Sequence, residues 1–202
     1  MAQYPNSTAG GGIWTLEKQR VFQMGGNFPS DTSFHSIATT TVGVGGTGTI
    51  TFSDIPQTYA HLQIRSIARN VSGGGTADTQ AAMRFNGDSG ANYTFHQLYG
   101  TGASAGAGAG TAQTNATAGF VAGSASTANC FSVSICDILD YTNANKNKVV
   151  RLIGGDDYGN TSGNVYVWSN LWINTSAVTS IVITNSNNFT QYSHFALYGI
   201  KA

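Results

Sequence analysis

From Asn129 to Tyr141 the chain reads N-C-F-S-V-S-I-C-D-I-L-D-Y, and this run constrains the fold more than any other. Between Cys130 and Cys136, large apolar residues (Phe131, Val133, Ile135) alternate with small ones (Ser132, Ser134). A two-residue period sends successive side chains to opposite faces of a strand, and puts Phe131, Val133 and Ile135 toward a core. One strand cannot bury such a face, so partners are required. Shorter runs supply them: Ser36 to Val42, Gly48 to Phe52, Ala60 to Ala68, Ala81 to Phe85, Tyr93 to Tyr99, Ala118 to Ala122, Lys148 to Ile153, Val165 to Trp172, Val178 to Thr184 and Ser193 to Ile200. In Ala60 to Ala68, Leu62, Ile64 and Ala68 are expected to face in, and His61, Gln63 and Arg65 out. Short strands at this spacing, divided by Gly- and Asn-containing turns, predict an all-β antiparallel sandwich or jelly roll over residues 36–202.

Composition agrees with strands and narrows the function. Only 9 Lys and Arg and 9 Asp and Glu occur in 202 residues, against 26 Gly. An average soluble domain is about 25% charged, so neutral polar groups must build this surface. The zero net charge offers no basic footprint for nucleic acid. It also gives weak colloidal repulsion, which suits a subunit fixed in an assembly. No stretch approaches the run of about 18 apolar residues that a membrane helix needs, and the first residues lack the pattern of a signal peptide, so no membrane insertion is expected.

Residues 1–35 read differently. A Gly-rich lead precedes Ile13-Trp14-Thr15-Leu16-Glu17-Lys18-Gln19-Arg20-Val21-Phe22, which carries helical spacing and the sequence signals of a helix start at Thr15; Gly25 to Pro29 ends it. One or two helical turns, or an extended arm, cannot bury Ile13, Trp14, Leu16, Val21 and Phe22 alone. They either fold back on the sandwich or anchor the chain to a neighbouring protein.

The chemistry-bearing residues form no catalytic pattern. Gly43-Val44-Gly45-Gly46-Thr47-Gly48 matches the dinucleotide fingerprint, but a strand rather than a helix follows it, so a hairpin turn is expected. His35, His61, His96 and His194 are scattered, and a metal needs three or four convergent donors. Cys130 and Cys136, six residues apart on one strand face, lie roughly 20 Å apart and cannot pair; they read as reduced core residues. Asp137 with Asp140, or Asp156 with Asp157, are the carboxylates a glycan hydrolase would use, but Asp137 falls on the inward register, where a bulge, or bonds from an Arg or from backbone N–H groups, would explain it. Asp156-Asp157-Tyr158-Gly159-Asn160 has oxygen ligands and a Gly without the twelve-residue calcium-loop spacing. No enzyme activity and no cofactor are expected. The Gly- and Ala-rich run from Gly100 to Gly119 has almost no bulk to bury and reads as a mobile loop, or one packed only on a neighbour. Phe85-Asn86-Gly87-Asp88 contains the Asn-Gly of a tight turn. Tyr158, Tyr166, Trp168 and Trp172 form an aromatic cluster whose rings either fill the core or offer a face for glycan or subunit contact.

Gly12-Ile13-Trp14-Thr15-Leu16, Pro29 some fifteen residues on, the Gly/Ser/Thr/Asn-rich sandwich and the ending Phe195-Ala196-Leu197-Tyr198-Gly199-Ile200 resemble small virion structural proteins of tailed bacteriophages, cyanophage-like ones in particular. The resemblance implies a tail-fibre, host-adhesion or capsid-decoration subunit with a jelly-roll domain, commonly trimeric, located in the virion after assembly in the host cytoplasm. Its expected partners are copies of itself, another virion protein through the arm, and a host-surface glycan. A carbohydrate-binding module standing alone is the other class of function these residues leave open.

Overall fold

The computed structural model describes residues 16–24, 34–71, 78–159 and 162–201. The chain divides into two units, Met1–Ser33 and Phe34–Ala202. In the first, α1 (Leu16–Met24) is a nine-residue helix with Leu16, Val21 and Met24 exposed. Ile13, Trp14, Thr15 and the Gly25 to Pro29 stop lie outside the described residues, as do the side chains of Lys18 and Phe22.

The second unit is the expected all-β sandwich of two antiparallel sheets. Its strands are β1 (Phe34–Thr41), β2 (Thr47–Phe52), β3 (His61–Ala68), β4 (Asp78–Phe85), β5 (Tyr93–Gly100), β6 (Ala105–Gln113), β7 (Ala116–Ala122), β8 (Ser132–Leu139), β9 (Lys148–Asp157), β10 (Gly163–Trp172), β11 (Ile181–Phe189) and β12 (His194–Ile200). The larger sheet runs β1-β12-β3-β8-β9-β10-β5-β6 and the smaller β2-β11-β4-β7. Among the described residues no helix is long and apolar enough to cross a membrane.

Two expected turns lie at corners between the sheets. At Asn86-Gly87 both residues have positive φ, 52° and 72°, and the Asp88 N–H donates to the Phe85 carbonyl at 2.9 Å, the backbone that the Asn-Gly pair adopts readily. The turn nevertheless joins β4 of the small sheet to β5 of the large one. Gly43–Gly48, expected as a hairpin, likewise carries the chain from β1 to β2, because those strands pair with β12 and β11 rather than with each other.

The core lies between the sheets. Trp172, 1% exposed, stacks on Tyr93 at 6.3 Å and tilts against Phe85 at 5.4 Å. Its indole N–H donates to Asp88 Oδ2 at 2.7 Å, so the ring is buried and its polar tip is satisfied. That bond, with others from Asn92 and the Gly90 N–H, holds the Asp88 carboxyl below its usual range. Burying one such side chain is worth about 1.5–3 kcal/mol. Lys148, fully buried on β9, donates from Nζ to the carbonyls of Asn143, Lys146 and Thr175 at 2.7, 2.7 and 2.9 Å. Three carbonyl dipoles make its burial tolerable, while the desolvation pulls its pKa down.

Two expectations are corrected. Residues 100–119 are not a loop: 105–113 form β6 on the edge of the large sheet, and 116–122 form β7 over the core. The side chains that order β6 come from its neighbour. A Cβ at Gly106, Gly108 or Gly110 would lie 2.5 Å from Tyr99, 2.6 Å from Gln97 and 2.6 Å from Phe95 respectively, so the β5 side chains lie flat across the glycines and supply the apolar contact that β6 lacks. The second correction is the facing of β8. Ser132, Ser134, Cys136 and Ile138 point inward, and Val133, Ile135 and Leu139 are exposed. Asp137 is therefore on the outer register, with no bulge on either neighbouring ladder. Cys136 is buried, Cys130 half-buried ahead of the strand, and both are free thiols.

Candidate assembly surface

The inversion of β8 has a local cause. The Ser132 Oγ accepts from the Ala122 N–H, and the Ser134 Oγ donates to the Ala118 carbonyl at 2.9 Å. The β7 backbone thus lies within hydrogen-bond reach of β8, a gap that a Val or Ile would overfill. A Cβ added at Gly119 would sit 2.9 Å from Ser134. Small polar residues fill the inner register here, and the period of two then puts Val133, Ile135 and Leu139 on the outer face.

Neighbouring strands extend that face. Register aligns Ile135 with Ile153, Ile153 with Val167, Val167 with Leu98 and Leu98 with Ala107. A parallel row aligns Ile67, Val133, Gly155 and Val165. None of these aliphatic side chains is covered: Val165 is 68% exposed, Leu98 65%, Val133 and Ile153 50%. Contiguous apolar rows of this kind mark interaction surfaces, whereas isolated exposed aliphatics do not. Two shallow grooves score the face, one of about 560 Å³ between Leu98, Val167 and Ala107–Ala109, the other of about 260 Å³ between Arg65, Val133, Ile135 and Tyr198.

One polar row runs beside the aliphatic ones, with Gln63, Asp137 and Arg151 aligned in register. Arg151 Nη2 donates to Asp137 Oδ2 at 2.6 Å, Gln63 Nε2 to Asp137 Oδ1 at 2.7 Å, and Arg65 Nε to Gln63 Oε1 at 2.7 Å. The Arg65 guanidinium also lies 5.4 Å from the Phe34 ring centroid and 5.3 Å from that of Tyr198. Asp137 is thus bonded by an arginine, one of the partners weighed for it, although on the outer rather than the inward register, and the row is a pre-paired network beside the aliphatic ones.

The other expected site residues fall elsewhere. Tyr158, Tyr166, Trp168 and Trp172 are all buried, so the face proposed for glycan or subunit contact is core. Tyr166 lies across Gly154, and its hydroxyl accepts from the Phe120 N–H at 3.0 Å; Trp168 packs on Phe95 at 4.7 Å. It is the intervening parity of β10, Val165 and Val167, that faces out. Among the arm residues, Leu16 and Val21 are exposed on α1. Asp156 accepts from the Asn164 N–H at 2.7 Å and from the Tyr158 hydroxyl at 3.2 Å, a use of its oxygens that closes the end of the β9–β10 ladder; Asn160 lies outside the described residues. Asp140 pairs with Lys146 at 2.6 Å, and that hydrogen bond, with the lysine charge, lowers its pKa. Among the described residues no three His, Cys, Asp or Glu side chains come together as a metal site would require.

The outer-face residues were visible in the sequence only as half of each alternating strand. On β8, which half faces solvent is set by what lies opposite, the approach of β7.

Comparison with protein-family models, curated proteins and solved structures finds no match to this chain.

Proposed function

We propose that the protein is a non-enzymatic structural subunit of a bacteriophage virion, a β-sandwich that assembles with copies of itself through the outer face of its larger sheet and is held in the particle by its N-terminal arm. The observation that carries the reading is β8, where bulky aliphatics point to solvent and serines to the interior. A monomer gains nothing from Val133, Ile135, Ile153, Val167 and Leu98 in water; a subunit covered by its neighbours gains their burial. The low charge content and zero net charge support the same reading, because closely packed copies then meet with little net repulsion. The resemblance of both chain ends to tailed-phage structural proteins supports the virion setting, the homotrimer and host attachment through a tail fibre. A second reading, capsid decoration, is favoured by the burial of Tyr166, Trp168 and Trp172: the open face is aliphatic, which suits protein contact better than stacking on sugars.

Sedimentation of the full chain tests assembly. Three copies of the 21.0 kDa chain, or a whole multiple of three, are expected at micromolar concentration, and Ile153→Asp should break the three-fold unit without lowering the melting temperature of the subunit by more than a few degrees. A wild-type chain that sediments as a monomer up to tenfold higher concentration would remove the proposal. Antibody labelling of intact particles then separates tail from head.

A further inference from the structure

We infer that β6 is a pairing edge for the β6 of a second copy, giving a two-fold contact in which the large sheets of two subunits run on as one. The inference deepens the assembly reading and rests on it.

The docking groups are main chain. β5 and β6 are joined by the two-residue loop Gly102-Ala103, with Gly102 at φ 82° and the Thr101 N–H donating to the Ser104 carbonyl at 2.9 Å. In an antiparallel ladder hydrogen-bonded pairs alternate with non-bonded ones. Starting from the bonded pair Thr101–Ser104, the alternation makes Tyr99–Gly106, Gln97–Gly108 and Phe95–Gly110 bonded pairs, and leaves the N–H and C=O of Ala105, Ala107 and Ala109 directed away from β5. β6 is the last strand of its sheet, and among the described residues no strand pairs with these groups, which form an open edge. It carries none of the features that protect edges in other sheets: no charge, no proline and no bulge until Ala112, whose φ of 53° ends the flat stretch.

The occupant follows from the symmetry of the strand. Ala105-Gly106-Ala107-Gly108-Ala109 reads the same in both directions. Two antiparallel copies centred on Ala107 set alanine opposite alanine and glycine opposite glycine, and each outward N–H meets an outward C=O of the partner, an isologous contact. With no charge on the strand, like meets like without repulsion. The apolar row Ile153–Val167–Leu98–Ala107 also points at the dyad, so pairing carries it unbroken from one subunit into the next. This two-fold is distinct from the three-fold about which a trimer closes.

Cysteine cross-linking tests it. With Ala107 on the dyad, paired Cα atoms lie about 5.5 Å apart, within disulfide reach; Ala105 lies opposite Ala109 and is more than about 10 Å from its own mate. Under mild oxidation, Ala107→Cys should give a disulfide-linked dimer on a non-reducing gel, while Ala105→Cys should not. Ala107→Lys, which places two ammonium groups across the dyad and leaves every β5 bond intact, should reduce the native mass of the full chain to that of the unit closed by the sheet face alone, with its circular dichroism and melting temperature retained. An assembled wild type whose mass Ala107→Lys does not change, and whose Ala107→Cys form gives no dimer, overturns the edge contact and leaves the assembly reading standing. A wild type that stays at 21.0 kDa with no cross-link overturns both.

Discussion

β8 and β10 flank β9 in the same sheet, and β7 lies across both, yet they meet it with opposite side chains. β10 sends Tyr166 and Trp168 inward, where Phe120 of β7 meets them edge-on at 5.0 and 6.3 Å. β8 sends in Ser132 and Ser134, which bond the β7 backbone itself. Where β7 offers a ring the neighbouring strand offers rings, and where it offers backbone the neighbour offers hydroxyls. The size of a residue in an alternating strand therefore does not tell which way it faces; the strand opposite does.

The difference can be tested from both sides. Truncating the inner register of β10 should cost most: Trp172→Ala removes the contacts with Tyr93 and Phe85 and leaves Asp88 without its indole donor, for a loss of about 3–5 kcal/mol in denaturant unfolding. On β8 the inner register should resist enlargement. Ser134→Leu overfills the gap beneath Gly119 and removes the hydroxyl that bonds the Ala118 carbonyl, and a loss of about 1–3 kcal/mol is expected; a stabilised variant would mean that β7 can move away, and the contrast between the strands would collapse.

Alkaline titration probes the inner registers together. Burial raises the Tyr93 hydroxyl to about 12 and the Cys136 thiol to about 12. Both stay protonated in the fold after their unfolded counterparts have ionised, so the stability they contribute is complete below pH 9 and is lost between about pH 9 and 12. Chemical denaturation at stepped pH should show that decline, and Tyr93→Phe should flatten part of it. The smallest effect belongs to the outer register: Ile153→Thr should change subunit stability by no more than about 0.5 kcal/mol. A loss as large as that of an inner residue would mean that the outer face is packed within the subunit itself.

How much of this was legible depends on where the information resides. β3 and β10 are readable from their own residues, since Leu62, Ile64 and Ala68, or Tyr166, Trp168 and Trp172, keep one parity and are buried on it. β6 is not, because Ala and Gly give no contrast between faces and the order comes from Phe95, Gln97 and Tyr99 on another strand. The outer face of β8 was misread for the same reason: its signal lies in the Gly119 and Ala118 backbone. For Asp137 an arginine was among the partners weighed, but its facing was misread with the rest of β8 and the partner was hidden, since Arg151 reaches it only through the β8–β9 register.

The order of the strands also sets when the chain can fold. β1 pairs only with β12, and β2 pairs with β11, so the first strands made wait for the last. During synthesis at about 5–20 residues per second, β1 and β2 emerge roughly ten seconds or more before their partners, whereas β3 to β10 can pair among themselves before β11 appears. Neither sheet is complete until β11 and β12 have left the ribosome. A nascent chain that lacks β11 and β12 therefore has an unfinished sandwich to offer a neighbour, and assembly must follow the emergence of these two strands.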